Sequence, residues 1–174
     1  MNKNFLWAKT ILSVYRYLER IAGAIDKIIM KSALGSSNVS VSTYHINNVM
    51  TISQRLIDLS QRKITLINLK VLTEDALSEI DEKYANLLIE RFFDNTKLKE
   101  ITQKHDISMR SVFRYIDSAL SAFSSRLVVK GFDDDKLAKM LEDEQWIKSV
   151  HQRLSKENCE DFSLSNAFLS RAVL

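Results

Sequence analysis

Apolar residues recur along this chain at three- and four-residue spacing, the period of one helix face. Between residues 5 and 33, Trp7, Val14, Ile21 and Ile28 stand seven apart, and Ile11, Leu18 and Ile25 fill the interleaved positions. This is the spacing of a coiled-coil seam and predicts one long helix. Leu34-Gly35 supplies its stop, because glycine accepts the left-handed backbone found past a helix end. Residues 35–46 are Ser/Thr-rich and read as a loop. A second long helix starts near Asn47 or Asn48, either of which suits a cap, and runs to Val71 or Leu72. Val49, Ile52, Leu56 and Leu59 form one stripe on it. Ile57, Ile64, Ile67 and Val71 form another, with Leu66 and Leu69 alongside. So broad an apolar arc predicts two covering neighbours. The pair is expected to make an antiparallel hairpin of about 35–40 Å, at 1.5 Å rise per residue.

Beyond Leu72 the periodic segments shorten. Thr73 or Ser78 is placed to cap a short acidic helix. Helical segments follow at 81–93, 96–104 and 108–129, then a weaker pair at 133–143 and 144–154. Trp146, Ile147, Val150 and Leu154 predict that the last of these docks on the core. The reading is an all-α chain in three parts: a long helical hairpin over 1–72, a helix-turn-helix domain over 73–154, and a tail over 155–174.

Composition agrees with helices. Among 174 residues there is no proline and only three glycines, too little turn chemistry for many short strands. Cys159 is the single cysteine, so neither an internal disulfide nor a thiolate zinc site can form. No uncharged apolar run approaches the roughly 18 residues of a membrane span, and the N-terminus carries no cleavage-site pattern. A cytoplasmic setting and no membrane partner are expected. Charge is blocked: +4 over residues 1–31, +3 over 45–72, −5 over 73–94, +4 over 95–130 and −4 over 131–144. One basic block thus lies between two acidic ones.

That basic block holds the informative stretch, Asn95 to Leu127. Leu98 and Ile101 face a core, Thr102 is small enough for a helix crossing, and Ile107 plugs a turn. Ser108 suits the N-cap of the next helix, whose Val112, Ile116 and Ala119 face back. The opposite face carries Met109, Arg110, Phe113, Arg114 and Asp117. This is the pattern of a helix-turn-helix, and an arginine-bearing face near a helix N-terminus suits entry into a major groove.

Glu100-Ile101-Thr102, Ile107-Ser108, Ser111-Val112 and Ala119-Leu120 resemble the helix-turn-helix of region 4 in bacterial RNA polymerase sigma factors. The run Tyr84 to Phe93 resembles the segment ahead of that motif. The likeness covers about residues 81–127. His105 stands where the family has leucine, and Asp106 where it has glycine. The first 72 residues do not resemble sigma region 2. The resemblance therefore implies a sigma-like DNA-binding regulator, or a mobile-element protein with the same DNA-binding half, rather than a sigma factor.

The expected partner is double-stranded DNA, bound by Ser108, Met109, Arg110, Ser111, Phe113 and Arg114. Lys97, Lys99, Lys104 and Lys130 are phosphate contacts or solvated lysines. A plain helical bundle without a DNA partner would share the core periodicity. The rival function is a helical interaction module touching RNA polymerase or a regulatory partner, which the acidic blocks favour. The seam of the first helix is either an intramolecular face or a homodimer zipper, and DNA-binding proteins of this kind often pair. Met30, Met50, Met109 and Met140 read as core gap fillers, and Gly23 as a site of close helix crossing. No phosphate loop, nucleophile–base pair or metal-ligand spacing occurs, so no enzyme activity, metal or cofactor is expected.

Overall fold

The computed structural model describes residues 3–36 and 45–156. Every element among them is helical: α1 (Lys3–Ser36), α2 (His45–Ser78), α3 (Glu82–Leu88), a π-helical turn (Ile89–Phe93), α4 (Leu98–His105), α5 (Met109–Val129) and α6 (Asp134–Met140). A further helix, α7, covers 145–156. Most of the Ser/Thr-rich loop, residues 37–44, and the tail from residue 157, with Cys159, lie outside the described residues.

α1 and α2 run antiparallel, stitched by polar pairs whose numbers rise on one helix as they fall on the other. Lys63 bonds Asp26 at 2.7 Å, Lys70 bonds Glu19 at 3.0 Å, and the Tyr15 hydroxyl donates to Glu74 at 2.5 Å. Burial first, then the bond to Glu74 and its charge, push the Tyr15 phenol up to about 12, so it remains a donor. Beneath these pairs lies the α1 seam. Trp7, Ile11, Val14, Leu18 and Ile25 are buried against Leu66, Leu69 and other residues of one continuous core. α1 also contacts α5, α6 and the π turn, so most of its seam is consumed inside the chain, while Ile21 is only partly buried and Ile28 remains exposed.

Several expectations need correction. α2 does not end at Leu72 but continues to Ser78. Thr73 caps nothing; it is buried mid-helix and its hydroxyl donates to the Leu69 carbonyl at 2.7 Å. The acidic residues Glu74 and Asp75 are therefore the last turns of α2. α1 runs one residue past Gly35, to Ser36, and α2 begins at His45, ahead of both asparagines. A Cβ on Gly23 would meet nothing within 4 Å, so no close crossing occurs there. Met30 and Met50 are exposed rather than core fillers.

The C-terminal half closes the core as expected. Ile147 and Leu154 of α7 are buried, with Trp146 and Val150 partly so. The His151 ring stacks on Trp7 with centroids 3.9 Å apart, and its Nδ1 lies 3.1 Å from the Thr10 hydroxyl. Glu144, just before α7, is buried yet well bonded. Arg62 donates to both its oxygens at 2.9 and 3.1 Å, and the Trp146 indole N–H donates at 2.9 Å. These three bonds offset the cost of burying the carboxylate. Between α5 and α6, Gly131 adopts φ +80. The Phe132 N–H bonds the Leu127 carbonyl at 2.8 Å and the Gly131 N–H bonds Val128 at 2.8 Å. This is the glycine-ended Schellman arrangement.

Candidate nucleic-acid interface

The candidate site is built on α4, a short turn and α5. Approach to α4 is set by the π-helical turn, whose wider winding carries both Phe92 and Phe93 into contact with the core. Phe93 stacks on Tyr15 with centroids 3.8 Å apart. Asn95, at φ 56, reverses the chain, and the Thr96 carbonyl accepts from Arg91 at 3.2 Å. Lys97 has no accepting side chain. Its own backbone N–H is satisfied instead by Glu100, at 3.3 Å.

α4 ends at Asp106, which adopts the left-handed conformation, φ 49 and ψ 46. Asp is among the few non-glycine residues that visit this region, so the turn bends where glycine is missing. Ile107 packs against the core as its plug. Ser108 then caps α5, its hydroxyl accepting from the Ser111 N–H at 3.2 Å and lying 2.9 Å from the Ser111 hydroxyl. Val112, Ile116 and Ala119 are buried, as is Ile101 of α4. Asp106 thus makes the bend and Ser108 the cap.

A clamp from the preceding segment holds the end of α4. Glu90, on the π turn, accepts from Lys104 at 2.6 Å and contacts His105 Nε2 at 2.9 Å. Burial would raise the Glu90 carboxyl, but the bonds from Lys104 and His105 outweigh it and hold the group below its ordinary value. The C-terminus of α4 is thereby tied to the preceding segment, which gives His105 a structural role. Glu90 lies fourteen residues from Lys104, across the chain reversal at Asn95, so no local periodicity reveals the pair.

The predicted contact residues separate into two groups. Arg110, Phe113 and Arg114 are exposed on one side of α5, Phe113 at 52%. Neither arginine forms an ion pair among the described residues, though Arg114 lies over the Tyr115 ring at 5.5 Å. Lys97 and Lys99 are also exposed and unpaired among the described residues. Met109 is half-buried at the edge. By contrast, the Ser108 and Ser111 hydroxyls are engaged in the cap, and Lys104 is held by Glu90. Lys130 is no solvated lysine: its ammonium reaches Asp75 and Glu79 at 2.5 Å each. A groove of about 870 Å³ follows this side of α5, lined by Arg110, Ser111, Arg114, Asp117, Ser118 and Ser121 among others.

Among the described residues no group of three His, Cys, Asp or Glu side chains is placed to hold a metal ion, and no helix is long and apolar enough to cross a membrane. No protein-family model, curated protein or solved structure matches this chain.

Proposed function

We propose that residues 98–129 act as a helix-turn-helix that binds double-stranded DNA, in a sigma-region-4-like transcription regulator, with the first turns of α5 in the major groove. The supporting observation is the exposed group Arg110, Phe113 and Arg114, its arginines free of ion pairs among the described residues, on a helix whose entry is fixed by Asp106 and the Ser108 cap. Arginine at such positions donates two hydrogen bonds to guanine N7 and O6, and an aromatic edge packs on a thymine methyl. Lys97 and Lys99 serve as phosphate anchors that set the docking register.

The acidic blocks weigh less against this reading than their net charge suggests. Asp75, Glu79, Glu90 and Glu144 are each bonded to a cation of this chain, so their fields are partly cancelled locally. Selection from a random duplex library is the direct test. It should return a preferred sequence. At that sequence Arg110→Ala should weaken binding by about 1–3 kcal/mol, and affinity should fall steeply with salt. A protein that uses this surface only to touch RNA polymerase or another protein would enrich no duplex, and that result would sink the DNA reading.

A further inference from the structure

α2 carries an apolar stripe that nothing among the described residues covers. Met50, Ile57, Ile64 and Val71 stand at strict seven-residue intervals, with side chains 70%, 53%, 57% and 56% exposed, and Ile67 joins them. On a straight helix such a stripe extends about 32 Å, at 1.5 Å per residue. Buried residues of α2 such as Leu66, Leu69, Leu72 and Ala76 lie on another side, against α1 and the core. Among the described residues the broad arc of α2 therefore has a cover on one side only.

We infer that the second neighbour is α2 of another copy of this chain, paired antiparallel across a two-fold axis near Ser60 and Gln61. Three features make the stripe complementary to itself. Its heptad spacing is that of helices that wind together. Its core and flank positions, Ser53, Gln54, Ser60, Gln61, Ile67 and Asn68, include no charge, so two identical surfaces meet without repulsion. Its large residues alternate with the small Ser53 and Ser60, leaving holes into which the facing isoleucines fit.

The orientation follows from charge. A parallel pair in register would bring the acidic C-terminal turns of both helices to the same end, where Glu74 and Asp75 are bonded within each chain to Tyr15 and Lys130. An antiparallel pair sends these acidic ends to opposite ends of the contact. It also sets Met50 opposite Val71 and Ile57 opposite Ile64, since both pairs are symmetric about the same centre. Antiparallel helix dipoles add to the preference. A contact of this length is at the small end for a stable interface, so the dimer should dissociate on dilution.

Sedimentation of the full chain over a range of concentrations tests this. A reversible monomer–dimer equilibrium is expected, and the double variant Ile57→Glu, Ile64→Glu should remain monomeric at every concentration. Both positions are exposed in the monomer, so its helical circular dichroism should be unchanged. Orientation is read by oxidation in a Cys159→Ser background. Met50→Cys mixed with Val71→Cys should cross-link, and neither should cross-link with itself. A wild-type chain that is monomeric throughout, or a dimer indifferent to both glutamates, overturns the proposal. Self-cross-linking of Met50→Cys overturns the antiparallel arrangement.

Discussion

Asp106 shows how one side chain sets the cost of a fold. Its left-handed backbone, φ 49, is one that most L-residues disfavour by about 1–2 kcal/mol. Glycine takes this conformation without the Cβ penalty. Asp106→Gly should therefore stabilise the chain by about 0.5–1 kcal/mol in urea denaturation, and Asp106→Val should destabilise it by about 1–2 kcal/mol. The same experiment on Glu144 probes a different cost. Glu144→Ala leaves the Trp146 N–H and the Arg62 guanidinium without their acceptor. Because the Arg62 side chain is 40% exposed, water replaces part of what it loses. The expected loss is about 1–3 kcal/mol rather than the larger penalty of a fully buried pair. Equal stabilities for Glu144→Ala and the parent chain would contradict the buried three-bond geometry.

At the level of elements, the docking of α7 on α1 should respond to pH. Burial lowers the His151 imidazole below its ordinary value near 6.5. As pH falls, the unfolded chain takes up the proton first. Stability is therefore complete above about pH 6.5 and declines below it. Thermal unfolding midpoints should drop between neutral and mildly acid pH, and His151→Phe, which keeps a ring against Trp7, should flatten that drop. Glu90, held below its ordinary range, contributes in a lower window: its stabilisation is present above the ordinary carboxylate value and is lost as pH falls through the folded one. Element existence was legible in the sequence because the apolar spacing of α1, α2 and α5 is helical throughout, and the α4–α5 turn because Ser108, Ile107 and Asp106 act locally. The end of α2 was not, since Thr73 is as good a cap by type as it is a buried hydroxyl bonded within its own helix. Contacts such as Glu90 with Lys104, or Lys130 with Asp75, join residues 14 and 55 positions apart and leave no periodic trace. Nor could spacing decide which heptad seam the fold consumes: those of α1 and α2 look alike as sequence, and only packing buries most of the first and, among the described residues, leaves the second uncovered.

For the whole molecule, the two proposals join through the shared core. α1 packs on both α2 and α5, so a dimer built through α2 carries two α5 helices at a fixed separation. A rigid pair of reading helices demands half-sites at a fixed phase of the duplex, whose turn is about 10–10.5 base pairs. The dimer then gains from bivalency: once one half-site is held, the second is engaged at high effective concentration. Three measurements at a paired site distinguish the contributions. Ile57→Glu, Ile64→Glu should lower affinity by about 100-fold or more while leaving binding to one half-site unchanged. Inserting about five base pairs, half a turn, between the half-sites should produce a similar loss in the parent chain, because it places the second half-site on the opposite face of the duplex. Arg110→Ala should weaken single and paired sites alike, since it acts within each reading helix. Loss of half-site binding in the α2 variant would show that the stripe contributes to the DNA-binding unit itself, and would break the separation of pairing on α2 from readout on α5.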